Sequence, residues 1–246
     1  MDAKTLLKAE NISRNYHGQA IVEGLDLTLK HGEVTGLLGP NGAGKSTTLK
    51  MLAGILAPSG GIIRILDKDM YQYPRQKRHI SYLPEHPPLY SELTILEQLN
   101  FTAGLHNLPS NFRQARINTV LENGQLSEEK NKLIGQLSKG YRQRVGLAQS
   151  LLHDASIILL DEPTDGLDPL QIQLFRELIR QLSSSHTLLI SSHQLSEVAH
   201  LCDHVIIMKQ GRGIYSGTME EVTAAGDSLE QLFTQLIYSP QEEQAA

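Results

Sequence analysis

The sequence has little cysteine, no excess of basic residues and no long apolar run, and each shortage argues against a class of protein. It has one cysteine, Cys202, in 246 residues, so no disulfide can form within the chain. Acidic residues (27) outnumber Lys and Arg (22), and the formal charge of -5 argues against a general binder of nucleic-acid backbones. No apolar run approaches the roughly 18 residues that a membrane span needs. Because residues 1–8 also lack the apolar stretch of a signal peptide, we expect a cytoplasmic protein.

What is present is the composition of a packed globular protein. Hydrophobic residues make up 40% of the chain, and 20 Gly and 10 Pro are close to average usage. The length favours one elaborated domain. Residues 21–29 alternate apolar and polar side chains, which predicts antiparallel strands in the first third. Short apolar runs predict strands buried on both faces of a parallel sheet, and they lie at 34–38, 157–160, 187–190 and 205–208.

Helical patterns separate these runs, so the predicted fold class is α/β. Asp168 as N-cap, followed by Pro169, predicts the start of one helix. Residues 87–152 show no convincing strand, and Thr94 opens a capping box there, which predicts a helical insert. Ser228 opens an amphipathic helix that we expect to pack on its own domain, with partner binding as the alternative.

Residues 39–46 fit the pattern G-x-x-x-x-G-K-[ST] between a predicted strand and a predicted helix. In such a loop, backbone N–H groups surround phosphates, and the helix N-terminus favours negative charge. We expect Lys45 to reach the terminal phosphates and the Ser46 hydroxyl to ligate magnesium. The predicted ligands are therefore ATP and Mg2+, and the predicted nucleotide-binding residues are Gly39, Pro40, Asn41, Gly42, Ala43, Gly44, Lys45, Ser46 and Thr47.

Two carboxylates follow the apolar run at 157–160, at the sheet edge where doubly wound folds bind ligands. Asp161 is predicted to hold the magnesium shell. Glu162 points in another direction because it is the next residue, and it is predicted to act as general base on the attacking water. A solvated acidic pair at a strand end is the alternative, which the nearby phosphate loop disfavours.

The segment 137–144, which contains Leu-Ser-Lys-Gly, precedes this acidic pair by about twenty positions. With these motifs in this order, nearly the whole chain resembles the nucleotide-binding subunit of an ATP-binding cassette (ABC) transporter. The resemblance implies a P-loop NTPase (RecA-like) core with an antiparallel β subdomain and an inserted α-helical subdomain. It also implies that Ser138 and the Gly140 backbone contact the γ-phosphate held by a second subunit, with Lys139 and Tyr141 in place of the commoner Gly and Gln.

The resemblance assigns roles to four more positions. Tyr16 is expected to stack on adenine, Asp168 to contact the other subunit, and His193 to contact the γ-phosphate as a catalytic residue beside Lys45 and Glu162. Glu85 stands where the family usually has glutamine. It is either a neutral replacement or a change in magnesium dependence, because its charge favours metal and repels phosphate. The expected magnesium ligands are Ser46, Asp161 and Glu85.

The resemblance also suggests a division of the chain. Residues 1–85 and 153–214 form the nucleotide-binding core, residues 86–152 the helical subdomain with the signature segment, and residues 215–246 a C-terminal helical tail. The stretches 84–90 and 134–144 look most like export cassettes of the ABC-2 class, including the gliding-motility ATPase branch. The transported substrate is set by the membrane partner.

The predicted function is ATP binding and hydrolysis in an ATP-sandwich dimer that powers a separate multi-span membrane permease. The dimer contains two copies of this chain or one copy and a paralogous ABC subunit, held on the cytoplasmic face of the inner (plasma) membrane by the permease. One alternative is a soluble ABC ATPase on ribosomes or nucleic acid, disfavoured by the acidic balance and the single cassette. Another is a small-molecule kinase, in which Leu-Ser-Lys-Gly has no role. His200, Cys202 and His204 are not expected to form a metal site, and the only metal expected is the magnesium bound with the nucleotide.

Overall fold

The computed structural model describes residues 4–224 and 228–238, which form two β-sheets with helices around them. None of the described helices is both long and apolar enough to cross a membrane. In chain order the elements are β1 (Thr5–Tyr16), β2 (Gln19–Lys30), β3 (Val34–Leu38), α1 (Lys45–Leu52), β4 (Gly60–Ile65), β5 (Lys68–Asp69), β6 (Ile80–Leu83), α2 (Ile95–Leu105), α3 (Ser110–Asn123), α4 (Lys139–Ser150), β7 (Ile157–Asp161), α5 (Pro169–Ser183), β8 (Thr187–Ser192), α6 (Leu195–Leu201), β9 (His204–Lys209), β10 (Arg212–Thr218), α7 (Met219–Ala224) and α8 (Leu229–Tyr238).

The larger sheet has six strands in the order β10-β9-β3-β8-β7-β6. All neighbours pair in parallel except β10, which pairs antiparallel with β9. Every residue of β3, β7 and β8 is buried, as their continuous apolar runs predict. Because parallel strands end at one edge, the loops after β3, β7 and β8 meet there. The predicted α/β class is confirmed, and this edge positions the site.

The smaller sheet is antiparallel, in the order β2-β1-β4-β5, as the alternating pattern near the start of the chain predicts. Gly61 in β4 has φ +85°, and a Cβ there would collide with the backbone of Asn11 in β1, so the close approach needs glycine. Leu7 and Leu29 of this sheet share one apolar core with Leu49 of α1 and with Leu159 on one face of the larger sheet.

The predicted helical insert is present between β6 and β7 as α2, α3 and α4. The β-structure of described residues 86–152 is limited to one isolated bridge, between Thr94 and Leu133. The capping box at Thr94 is confirmed, since its Oγ1 accepts from the Glu97 N–H at 3.2 Å and the Glu97 carboxylate accepts from the Thr94 N–H at 2.8 Å. Apolar residues of the insert join the core on the other face of the larger sheet.

The C-terminal part departs from the predicted division in one respect. Position 215, where the helical tail was predicted to begin, lies inside β10, and the helices start at Met219. The reason is a tight turn at Gln210 and Gly211, both with positive φ, which folds β10 back on β9. Helix α8 packs on its own domain as predicted, through Leu229, Leu232, Phe233, Leu236 and Ile237. The rest of the predicted tail, at 225–227 and 239–246, lies outside the described residues.

Candidate functional site

The loop between β3 and α1 has the backbone that its glycines predict. Gly42 has φ +81°, and Gly44, the N-cap of α1, has φ +101°. A Cβ on Gly44 would lie 2.8 Å from the Ile21 carbonyl oxygen, so this position has no room for a side chain. The loop therefore turns sharply into the N-terminus of α1, which favours a bound anion.

A cavity of about 580 Å³ opens over this loop and brings together residues from distant parts of the chain. Predicted site residues form most of its wall, together with Ile21 and Asp165, which were not predicted. The predicted residues that line it are Asn41, Gly42, Ala43, Gly44, Lys45, Ser46, Thr47, Glu85, Glu162 and His193. Its volume and its many polar groups suit a ligand of small-molecule size.

Lys45 is buried, with 6% of its surface exposed, and its ammonium group has three oxygen partners. Its Nζ donates to the Gly39 carbonyl at 2.8 Å and to the Pro40 carbonyl at 3.4 Å, and it lies 3.2 Å from Glu162 Oε1. The loop thus fixes a positive charge at the wall of the cavity. Such a charge favours phosphate at this point.

Asp161, at the end of β7, is 2% exposed and lies at the centre of a hydroxyl cluster. Its Oδ1 accepts from Ser46 Oγ at 3.0 Å and from Ser191 Oγ at 2.8 Å, and its Oδ2 accepts from the Tyr82 hydroxyl at 3.2 Å. Burial, and then the Asp161 carboxylate, raise the pKa of Tyr82 well above its ordinary value, so the phenol stays a donor. Ser46 and Asp161 together supply the oxygen ligands that Mg2+ prefers.

Glu162 has a backbone conformation that is rare for a residue with a side chain, with φ +44°. Its N–H donates to Ser191 Oγ at 2.9 Å, and its Oε2 accepts from the His193 N–H at 3.2 Å and pairs with His193 Nδ1 at 2.8 Å. The carboxylate is therefore held between the Lys45 ammonium and the His193 imidazole. The structure thus brings together the three residues that were predicted to be catalytic.

The segment around Ser138 lies at the start of α4, outside the cavity over the phosphate loop. Ser138 caps the helix, with its Oγ accepting from the Tyr141 N–H at 3.4 Å. A Cβ on Gly140 would collide with Gln171 Oε1, so the Gln171 side chain would have to move. Lys139 lines a second cavity, of about 470 Å³, together with Glu85. Within one chain, then, Ser138, Gly140 and Tyr141 do not line the cavity over the phosphate loop, and Lys139 approaches it only through Asp165, at 3.2 Å.

Gly39, Pro40 and Asp161 do not line the main cavity, although they contact Lys45 or Ser46 beside it. Tyr16 and Asp168 do not line it either. Tyr16, at the end of β1, is 41% exposed and is covered by the Arg14 guanidinium, 4.6 Å from the ring centroid. Asp168 caps α5 as predicted, with its Oδ1 accepting from the Gln171 N–H at 2.9 Å. Their roles in adenine stacking and subunit contact stay predictions.

Sequence reasoning missed Tyr82, Ser191 and Asp165. The first two reach Asp161 because β7 lies between β6 and β8, with Asp161 directly opposite Ser191 in the β7–β8 pair. Strand order and register are not readable from these residues alone. Asp165 lies in the loop before α5, three positions after Glu162, and this closeness to the acidic pair was the available signal.

The histidines on either side of Cys202 take other partners. His200 Nδ1 lies 2.6 Å from the Ser196 carbonyl oxygen, and His204 Nε2 lies 2.9 Å from Ser216 Oγ. Burial, and then the Asp203 carboxylate, raise the pKa of the Cys202 thiol. The thiol is thus kept in its protonated form, as is usual for a cysteine in apolar surroundings.

Comparison with known proteins gives a consistent result. The family model described as ABC transporter matches residues 22–165. The uncharacterized ABC transporter ATP-binding protein YxlF of Bacillus subtilis (strain 168) is 38% identical over 217 residues, which cover 88% of this chain and 72% of that protein. The bacitracin transport ATP-binding protein BcrA of Bacillus licheniformis is 39% identical over 214 residues, covering 85% and 68%. A solved ATP binding subunit of an ABC transporter superposes with a TM-score of 0.84 at 32% identity, covering 94% of this chain and 99% of that one.

Proposed function

This chain belongs to the ABC transporter ATP-binding family, whose members hydrolyse ATP, and from that premise we propose that it is the ATPase subunit of an ABC-2-type exporter. Membership confirms the predicted P-loop NTPase fold and the predicted ATPase activity. The observation that carries the ATPase role is the meeting of Lys45, Ser46, Glu162 and His193 at one cavity, with Asp161 accepting from Ser46. The export type rests on the resemblance of residues 84–90 and 134–144 to export cassettes of the ABC-2 class.

The contacts suggest how these residues share the work. Lys45 would bind a terminal phosphate held beside the loop, and Glu162 would then give up its contact with the Lys45 ammonium, because both groups are anions. Glu162 then keeps only its contacts to His193, which leave it oriented to accept a proton from water. Ser46, Asp161 and Glu85 would hold Mg2+, which neutralises phosphate charge.

The dimer is the next part of the proposal. The cavity of one chain has no contribution from Ser138, Lys139, Gly140 or Tyr141, although the start of α4 is a suitable anion site. We propose that this segment completes the cavity of a second subunit, with Asp168 at the contact and Tyr16 on adenine. Two copies of this chain form the simplest such dimer, since each supplies both surfaces; a paralogous ABC subunit is the alternative.

The proposed partner is a multi-span permease that holds the dimer on the cytoplasmic face of the membrane. Two similar proteins support this partner: one is a solved ATP binding subunit of an ABC transporter, and the other is the bacitracin transport ATP-binding protein. The helical insert at 86–152 and the residues from Glu85 to Tyr90 are proposed to receive the permease. An integral membrane protein co-purifying from detergent extract supports this; ribosomes in its place support the soluble alternative.

Two substitutions test the site. Glu162→Gln is expected to bind ATP, hydrolyse it slowly and accumulate as a dimer, whereas Lys45→Ala is expected to lose nucleotide affinity. Glu122→Gln, an exposed substitution on α3 with the same change of charge, is the matched control. Nucleotide binding and phosphate release are measured on all three. Normal turnover by Glu162→Gln removes the role assigned to this carboxylate.

A further inference from the structure

A line of ionisable side chains connects the start of α4 with the nucleotide cavity of the same chain. Lys139 Nζ lies 3.2 Å from Asp165 Oδ2, and Asp165 Oδ1 lies 4.0 Å from His193 Nε2. Asp165 and His193 both line the cavity, and His193 contacts Glu162. The segment proposed to serve the second subunit is therefore tied to the catalytic groups of its own subunit.

The ion pair between Lys139 and Asp165 has space to form and is weak, which suits a contact that opens and closes. Gly166, next to Asp165, has φ +64°, and a Cβ there would lie 2.5 Å from Lys139 Nζ, so the absence of a side chain makes room for the lysine. The side chains of Lys139 and Asp165 are 43% and 37% exposed. An ion pair this exposed changes an equilibrium by no more than about five-fold.

We propose that the ion pair between Lys139 and Asp165 couples the two ATP sites of the dimer. It holds α4 against the loop of its own cavity, and it opens when α4 closes on the nucleotide of the second subunit. When α4 closes on the ATP site of the second subunit, Asp165 is therefore released from Lys139 at the ATP site of its own subunit, where it lies beside His193. Lys139 is in this sense a positioning residue, and its role rests on the proposed ATP-sandwich dimer.

The test is a double-mutant cycle in the Glu162→Gln background, where bound ATP persists. The ATP concentration at half-maximal dimerisation is measured by sedimentation for Lys139→Met, Asp165→Asn and the double substitution. Each single substitution is expected to lower this concentration about two- to five-fold, because the pair no longer has to open. The double substitution is expected to lower it no further, since both remove the same contact.

A matched control isolates the pair. Lys132→Met removes a lysine of similar exposure (44%), paired with Glu129 at 3.3 Å, and is expected to leave the ATP concentration at half-maximal dimerisation at the parent value.

Effects that multiply in the double substitution overturn the proposal, because the two charges then act independently. Opposite effects of Lys139→Met and Asp165→Asn overturn it as well. A parent that forms no dimer with ATP refutes the ATP-sandwich itself, which separates that failure from failure of the ion-pair role.

Discussion

Replacing Arg176 with methionine is expected to reduce the free energy of unfolding by about 3 kcal/mol. Arg176 on α5 forms a bidentate salt bridge with Glu197 on α6. Its Nε donates to Oε2 at 3.1 Å, and its Nη2 donates to Oε1 at 2.5 Å. Hydrogen bonding to Glu197 raises the pKa of Arg176, and the Glu197 side chain is only 6% exposed. Methionine fills similar volume but leaves that carboxylate buried without a counter-charge.

The magnitude follows from the burial of the two partners. Breaking a fully buried pair costs about 3–5 kcal/mol, and the lower end applies because a quarter of the Arg176 side chain faces water. For a chain of this length, a loss of about 3 kcal/mol lowers the melting temperature by roughly 6–12 °C. The assay is urea denaturation at pH 7, followed by far-UV circular dichroism.

Two further variants make this prediction refutable. Arg180→Met, at an exposed position of the same helix, is expected to stay within about 0.5 kcal/mol of the parent. The double substitution Arg176→Met with Glu197→Met is expected to regain most of the loss, because it removes the stranded charge. A single variant within about 1 kcal/mol of the parent, or a double variant as unstable as the single one, refutes the reasoning.

The remaining predictions concern the cavity and the thiol. Glu85→Gln removes a carboxylate from the cavity wall and is expected to raise the Mg2+ concentration for half-maximal ATPase activity by about two- to five-fold; superimposable magnesium curves would mean that the exchange is neutral. Cys202 is expected to react with iodoacetamide at pH 8.5 more than about ten-fold faster in urea than in the native protein, because burial raises the thiol pKa and native thiolate is scarce; equal rates contradict that burial.

Local signals in the sequence were enough for much of the fold. The caps at Thr94, Asp168 and Ser228 and the buried runs of β3, β7 and β8 were readable because short-range hydrogen bonds and continuous burial leave a direct pattern. Strand β10 was not, because it is defined by its pairing with β9 across the turn at Gln210 and Gly211, and its residues show no alternating burial of their own.

The site divides in the same way. The phosphate loop was readable because its glycine positions are set by backbone geometry. The hydroxyls of Tyr82 and Ser191 were not, because they reach Asp161 through strand order. The tie between Lys139 and Asp165 spans 26 positions and depends on how α4 sits against the loop before α5, which no local pattern records.

The position of β3 has a consequence for the order in which the protein is made and folded. This strand directly precedes the phosphate loop. Its neighbours in the sheet are β8 and β9, with Val34 beside Leu188 and Leu38 beside Ile207. A growing chain therefore exposes β3 without a partner until more than 150 further residues have left the ribosome. Nucleotide affinity should appear late in synthesis, in a nearly complete chain, and fragments that end before β8 should lack it.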